Sequence, residues 1–119
     1  MVQIFFGICG GYQLMGEKIT DSEGVENGID TIEGLGLLPV ETDFYMEKTT
    51  RQITGVAYNG KKITGYEIHQ GQSVVKGGQA FSEIEGRKEG CVLNNCVGTY
   101  VHGVFDETGF RESYIKENI

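Results

Sequence analysis

The feature that most constrains this chain is the run Gly7-Ile8-Cys9-Gly10-Gly11, set between an apolar stretch at residues 2–6 and a helical pattern at 12–18. An apolar run that ends at glycine predicts a buried strand, and the helix that follows should turn Leu14 and Met15 inward. A cysteine between the two sits on a sharp strand-to-helix turn, the form of a nucleophile elbow. Such turns hold strained backbone angles, and glycine neighbours let chain and substrate approach closely. Gly7 and Gly11 flank Cys9 at two residues on either side, where a side chain is expected to crowd the turn. The helix should favour the thiolate through its N-terminal amides and dipole, lowering the Cys9 pKa. The Gly10 N–H would point at an oxyanion on an attacked carbonyl. A buried structural cysteine on a tight turn fits the same short pattern.

A cysteine nucleophile needs a base within hydrogen-bond reach, and histidine is the usual one. There are two, His69 and His102, each ending a strand-like segment and followed by a turn. Strand ends line the ligand crevice of open α/β sheets, which suits either as a base. Taken singly, either is equally a hydrogen-bonded structural residue.

Elsewhere the pattern is mostly β. Residues 20–30 read as a loop and 35–40 as a strand, followed by a threonine-rich polar stretch. Asn59-Gly60 between residues 55–58 and 61–68 is a strong hairpin signal, because both residues tolerate positive φ. Residues 73–75, 91–93 and 97–101 add short strands. A terminal helix is expected over 110–118, with Phe110, Tyr114 and Ile115 on one side. Buried runs together with a hairpin predict a single α/β domain with an antiparallel element.

Several function classes drop out. The net charge is −7 and no basic run occurs, which argues against a nucleic-acid partner. No apolar stretch approaches the roughly 20 residues of a membrane helix, and the start does not read as a signal peptide. A cytoplasmic protein with three reduced cysteines is expected. Gly55-Val56-Ala57-Tyr58-Asn59-Gly60-Lys61 has phosphate-loop spacing, but Lys62 stands where Ser or Thr should hold Mg²⁺ and no helix pattern follows. Gly34 and Gly36 lack the third glycine of a dinucleotide fingerprint. The cysteines and histidines have no metal-ligand spacing, so no metal site is expected.

Three segments taken together carry a resemblance. Gly7-Ile8-Cys9-Gly10-Gly11-Tyr12-Gln13-Leu14-Met15-Gly16, then Gly65-Tyr66-Glu67-Ile68-His69, then Gly98-Thr99-Tyr100-Val101-His102-Gly103-Val104-Phe105-Asp106 resemble the C-terminal glutamine amidotransferase domain of cobyric acid synthases, over nearly the whole chain. Leu35-Gly36-Leu37-Leu38 with Thr42 fits as well. The resemblance implies a flavodoxin-like, class I glutamine amidotransferase fold with glutamine as substrate. Cys9 would attack the side-chain amide, His102 would act as base, Gly10 as oxyanion donor, and Gln13 would bind glutamine. Ammonia would pass to a synthetase domain in which ATP, with Mg²⁺, activates carboxylates of a corrinoid, cobyrinic acid a,c-diamide. A homo-oligomer is compatible with this. Relatives serving another acceptor, such as a cell-wall precursor, and an inert fragment acting as an interaction module are the alternatives.

The chain departs from the wider class I pattern in two places. Other members carry Glu two residues after the catalytic histidine; here that residue is Val104, as in the cobyric acid synthase branch. Glu67 and His69 are then the candidates to orient His102, with Tyr66 as a substrate contact. The chain also opens on the nucleophile strand. The expectation is therefore a C-terminal portion lacking the second oxyanion donor and the synthetase domain, and poor as a hydrolase by itself.

Overall fold

The computed structural model describes residues 3–21 and 31–118 of the chain. The apolar run forms β1 (Phe5–Ile8), and the chain turns at Cys9 into α1 (Gly10–Met15). This helix stops earlier than its pattern predicts. Gly16 leaves it in an extended conformation, and the next amide, Glu17 N–H, bonds to Val40 O at 2.7 Å. Met15 is buried as expected, but Leu14 is 51% exposed, because so short a helix turns only a narrow stripe toward the core.

A three-stranded sheet runs in the order β1, β9 (Cys96–Thr99), β8 (Cys91–Leu93). The β1–β9 pair is parallel, from Phe5 opposite Cys96 to Ile8 opposite Thr99. The second sheet contains β10 (Val101–His102), β5 (Lys62–Val75), β4 (Val40–Ala57), β2 (Lys18–Asp21) and β3 (Thr31–Glu33), in that order. β6 (Ser82–Ile84) pairs with β4 and with β7 (Arg87–Glu89) at its side. Apart from β1–β9 and β2–β4, every strand pair among the described residues is antiparallel.

The Asn59-Gly60 hairpin is present, with Gly60 at φ 82°. Its arms are far longer than expected. The threonine-rich stretch after Val40 is strand throughout, as β-branched threonines on a solvated sheet face allow. A register shift opens between Asp43, opposite Gln72, and Lys48, opposite Gln70. Residues 35–39 are not strand, contrary to expectation; Leu37 and Leu38 both donate to the carbonyl of Met15 at 2.9 Å and so hold the end of α1. Thr20 and Asp21 belong to β2 rather than to a loop, while residues 22–30 lie outside the described residues.

The larger core joins Ile53, Ile63, Phe81, Ile84, Val97, Val101 and Val104 to α2 (Thr108–Asn118) through Phe110 and Tyr114. Burying each large side chain contributes about 1.5–3 kcal/mol. Ile115 faces outward at 46% exposure, since the inward stripe is the i, i+4 pair Phe110 and Tyr114. A second cluster of Tyr12, Met15, Leu38, Val40, Cys91, Cys96 and Tyr100 lies beneath the elbow.

Candidate active site

Three backbone segments converge on Cys9. It stands between β1 and α1 at φ 55°, ψ −112°, a region few non-glycine residues occupy. Such a conformation costs on the order of 1–3 kcal/mol and persists only where neighbours impose it. Here its N–H bonds to Thr99 O at 2.9 Å and its carbonyl accepts from Gln13 N–H at 3.0 Å. The expected crowding of the elbow falls on one side only. A Cβ on Gly7 would collide with Met15 Sδ and the Gly11 backbone, whereas one on Gly10 or Gly11 would meet nothing. Space is open at those two positions.

His102 ends β10 and its Nε2 is in hydrogen-bond contact with Cys9 Sγ. The Cys9 thiol also lies 2.8 Å from Ile68 O and 3.8 Å from Tyr100 O. β10 lies close against β5 because Gly65, at φ 156°, has no side chain to strike the His102 carbonyl. The two residues expected to pair are thus brought together from opposite ends of the sequence.

The Cys9 thiol is pushed up to about 11 by burial first and by the Glu89 charge second, with Lys48 pulling the other way. This reverses the expected lowering. α1 is only six residues long, and a backbone carbonyl accepting from the thiol favours its neutral form. The thiol is therefore not a standing thiolate near neutrality.

Glu67 does not orient His102. In the β10–β5 pairing Tyr66 stands opposite His102 and Glu67 opposite Val101, so alternation sends Glu67 to the other face. There its carboxylate accepts from Arg87 at 2.7 and 3.0 Å and pairs with Arg51 at 3.3 Å. His69 is turned elsewhere too: its Nδ1 is 2.6 Å from Gly71 O and its ring lies on Tyr100, with centroids 4.4 Å apart. Tyr66 is half-exposed and stands opposite His102. Gln13 is buried, its amide donating to Gln70 O and to Tyr100 Oη, both at 3.2 Å. It braces the site from beneath.

Two residues that pattern reading passed over are Tyr100 and Glu89. The Tyr100 hydroxyl joins Gln13 to Ser73 Oγ at 2.5 Å, and Ser73 bonds onward to Thr42 at 2.7 Å. Glu89 is 5% exposed and accepts three hydrogen bonds. Their partners sit on other elements of the fold, so no local spacing marks them. A cavity of about 700 Å³ opens on the other side of Tyr100, walled also by His69, Tyr12 and Arg87, but neither Cys9 nor His102 lines it.

The phosphate-loop spacing is the β4–β5 hairpin, and no cluster of three metal-ligating side chains occurs among the described residues. Nor, among those residues, is any helix long and apolar enough to cross a membrane.

Comparison with known proteins agrees with the geometry. The model of the CobB/CobQ-like glutamine amidotransferase domain matches residues 2–110. Cobyric acid synthase of Clostridium perfringens is 47% identical over 121 residues, covering 97% of this chain and 24% of that protein. Those of Phocaeicola vulgatus and Listeria welshimeri are 46% and 44% identical, each over 93% of this chain. The chain spans about a quarter of the length of these curated relatives, 23–24%. A cysteine on a strained strand-to-helix turn, a histidine bonded to it, and a family model over nearly the full length lead to one assignment: the chain belongs to the CobB/CobQ-like glutamine amidotransferase domain family.

Proposed function

We propose that this chain hydrolyses the side-chain amide of glutamine at Cys9, in a flavodoxin-like domain of the class I type. The observation that carries the reading is the contact between Cys9 Sγ and His102 Nε2 at the open side of the elbow. Neutral His102 takes the thiol proton as sulfur attacks the amide carbon, and the carbonyl oxygen becomes an oxyanion beside the Gly10 N–H. His102 then returns the proton to the departing nitrogen, leaving ammonia and a glutamyl thioester. Water adds to the thioester, giving glutamate and the free thiol. Tyr66 would contact the substrate; its half-exposed position opposite His102 supports this.

The destination proposed for the ammonia is the amidation of cobyrinic acid a,c-diamide to cobyric acid, in the route to cobalamin; the relatives' name, cobyric acid synthase, supports the product. ATP and Mg²⁺ would serve that step in a synthetase domain.

The test is covalent labelling by a glutamine-analogue electrophile, followed by peptide mapping. Cys9 should be labelled ahead of Cys91 and Cys96, excess glutamine should protect it, and His102→Gln should slow the reaction. Equal labelling of all three cysteines, or no protection by glutamine, would sink the proposal.

A further inference from the structure

The strand that delivers His102 is held by a carboxylate three strands earlier in the chain. Glu89 ends β7 and is buried. Its Oε1 accepts from Ser82 Oγ at 2.8 Å and from Thr99 Oγ1 at 2.7 Å, and its Oε2 accepts from the Tyr100 N–H at 2.9 Å. Thr99 Oγ1 accepts in turn from the Val101 N–H at 3.0 Å. Three successive residues are thus tied, directly or through Thr99, to one carboxylate.

They are the residues at which the chain passes from β9 in one sheet to β10 in the other. The same junction touches both members of the reactive pair. Thr99 O holds the Cys9 N–H, Tyr100 O faces the Cys9 sulfur and accepts from the Ile68 N–H at 3.1 Å, and His102 follows two residues later. The Tyr100 ring is gripped between His69 at 4.4 Å and Tyr12 at 4.9 Å. A shift at Tyr100 would therefore displace the sulfur and the imidazole relative to each other.

We propose that Glu89 is a positioning residue of this site, fixing residues 99–101 so that β10 presents His102 to Cys9. It does through the backbone what a carboxylate bonded to the imidazole would do directly. The inference rests on the glutaminase reading above. Its basis is geometric, since the Glu89 charge opposes the Cys9 thiolate rather than assisting it. The other titratable groups that feel or impose charge on Glu89 are Arg87 on β7 itself, Glu67 on β5 and Tyr12 on α1.

The experiment measures the rate of Cys9 labelling by the glutamine-analogue electrophile across pH, in the 119-residue chain and its variants, with circular dichroism reporting the folded fraction. Per folded molecule, Glu89→Ala should slow labelling by about tenfold or more, while Glu89→Gln, which keeps the shape, should return to within about threefold. The Glu89→Gln profile should also move to lower pH, because a charge that disfavours the thiolate is gone. Should Glu89→Ala not fold, Thr99→Val cuts the hydroxyl link and keeps the volume; slower labelling supports the role and an unchanged rate overturns it. If wild-type Cys9 shows no preference over Cys91 and Cys96, the glutaminase reading fails and this inference with it. If wild type is selective but Glu89→Ala labels at its rate, or Glu89→Gln is as slow as Glu89→Ala, the positioning role alone fails.

Discussion

Tyr66 and His102 stand directly opposite one another where β5 meets β10, so both side chains leave the same face of that pair. The next residues, Glu67 and Val101, leave the other face, into the interior. This single register separates a reactive surface from an ion-paired support, and it decides which neighbours of His102 can take part in chemistry.

The first consequence concerns His102 itself. If it carries the thiol proton, His102→Gln should lower glutamate release by about 10²–10⁴-fold while leaving the fold intact. An amide can still bond to the sulfur but cannot accept its proton. Release measured on folded variant protein checks this, and an unchanged rate would point to another base.

The second concerns pH. Burial and Glu89 push the Cys9 thiol up to about 11, and His102 is not among the causes. Thiolate forms as pH rises, so alkylation of His102→Gln should climb through pH 9 and 10 with a midpoint near 11. Wild type should already react at lower pH by handing its proton to His102. Alkylation rates across pH for both proteins are the measurement, and coincident profiles would mean that the Cys9–His102 contact is not used.

How much of this was legible in the sequence follows from how local each feature is. The elbow and the Asn59-Gly60 turn are written in adjacent residues, because glycine placement dictates the backbone at those points. The Cys9–His102 pair was legible through motif resemblance, although 93 residues separate the two. Glu89 was not: its three donors lie on β6, on β9 and just beyond β9, and only the assembled sheets bring them to one carboxylate. Residues 35–39 misled for a related reason. Their apolar run reads as a strand, but its backbone donors are spent on the end of α1. Glu67 looked like an orienting group because its motif was expected near the site and Val104 replaces the usual glutamate, and only strand register shows which way it faces.

Glu67 should matter for stability rather than for turnover. Glu67→Ala leaves Arg87 without its carboxylate and Arg51 with Glu85 alone, but both arginines are close to half-exposed and can recover water. The loss should be about 1–2 kcal/mol, toward the low end for a charged hydrogen-bonded pair. Urea denaturation measures it. Cys9 labelling per folded molecule should stay at the wild-type rate, and a large drop there would return Glu67 to the active site.

Gly65→Ala should do the reverse and strike geometry first. At φ 156° any side chain is strained, and a Cβ at this position would press on the His102 carbonyl. Strain of this kind costs about 1–3 kcal/mol. Relief requires β10 to move off β5, carrying His102 away from Cys9. Slower labelling of folded protein is expected alongside the lower urea midpoint, and a normal labelling rate would show that the gap closes without moving His102.

Burial raises the Glu89 pKa above the ordinary carboxylate value of 4.5, and this outweighs the Tyr100, Thr99 and Ser82 hydrogen bonds that lower it. The sign of the stability effect follows. A carboxyl group whose folded pKa is raised favours the fold while protonated, and that contribution disappears as pH climbs from the unfolded value through the folded one. Glu89→Gln has no proton to lose, so its stability relative to wild type should improve from about pH 4.5 upward and level off once Glu89 is ionised. Urea midpoints of the two proteins at pH 4.5 and pH 7.5 decide the matter. A gap between them that does not change, or that moves against the variant as pH rises, would mean that the three hydrogen bonds outweigh the cost of burying the charge.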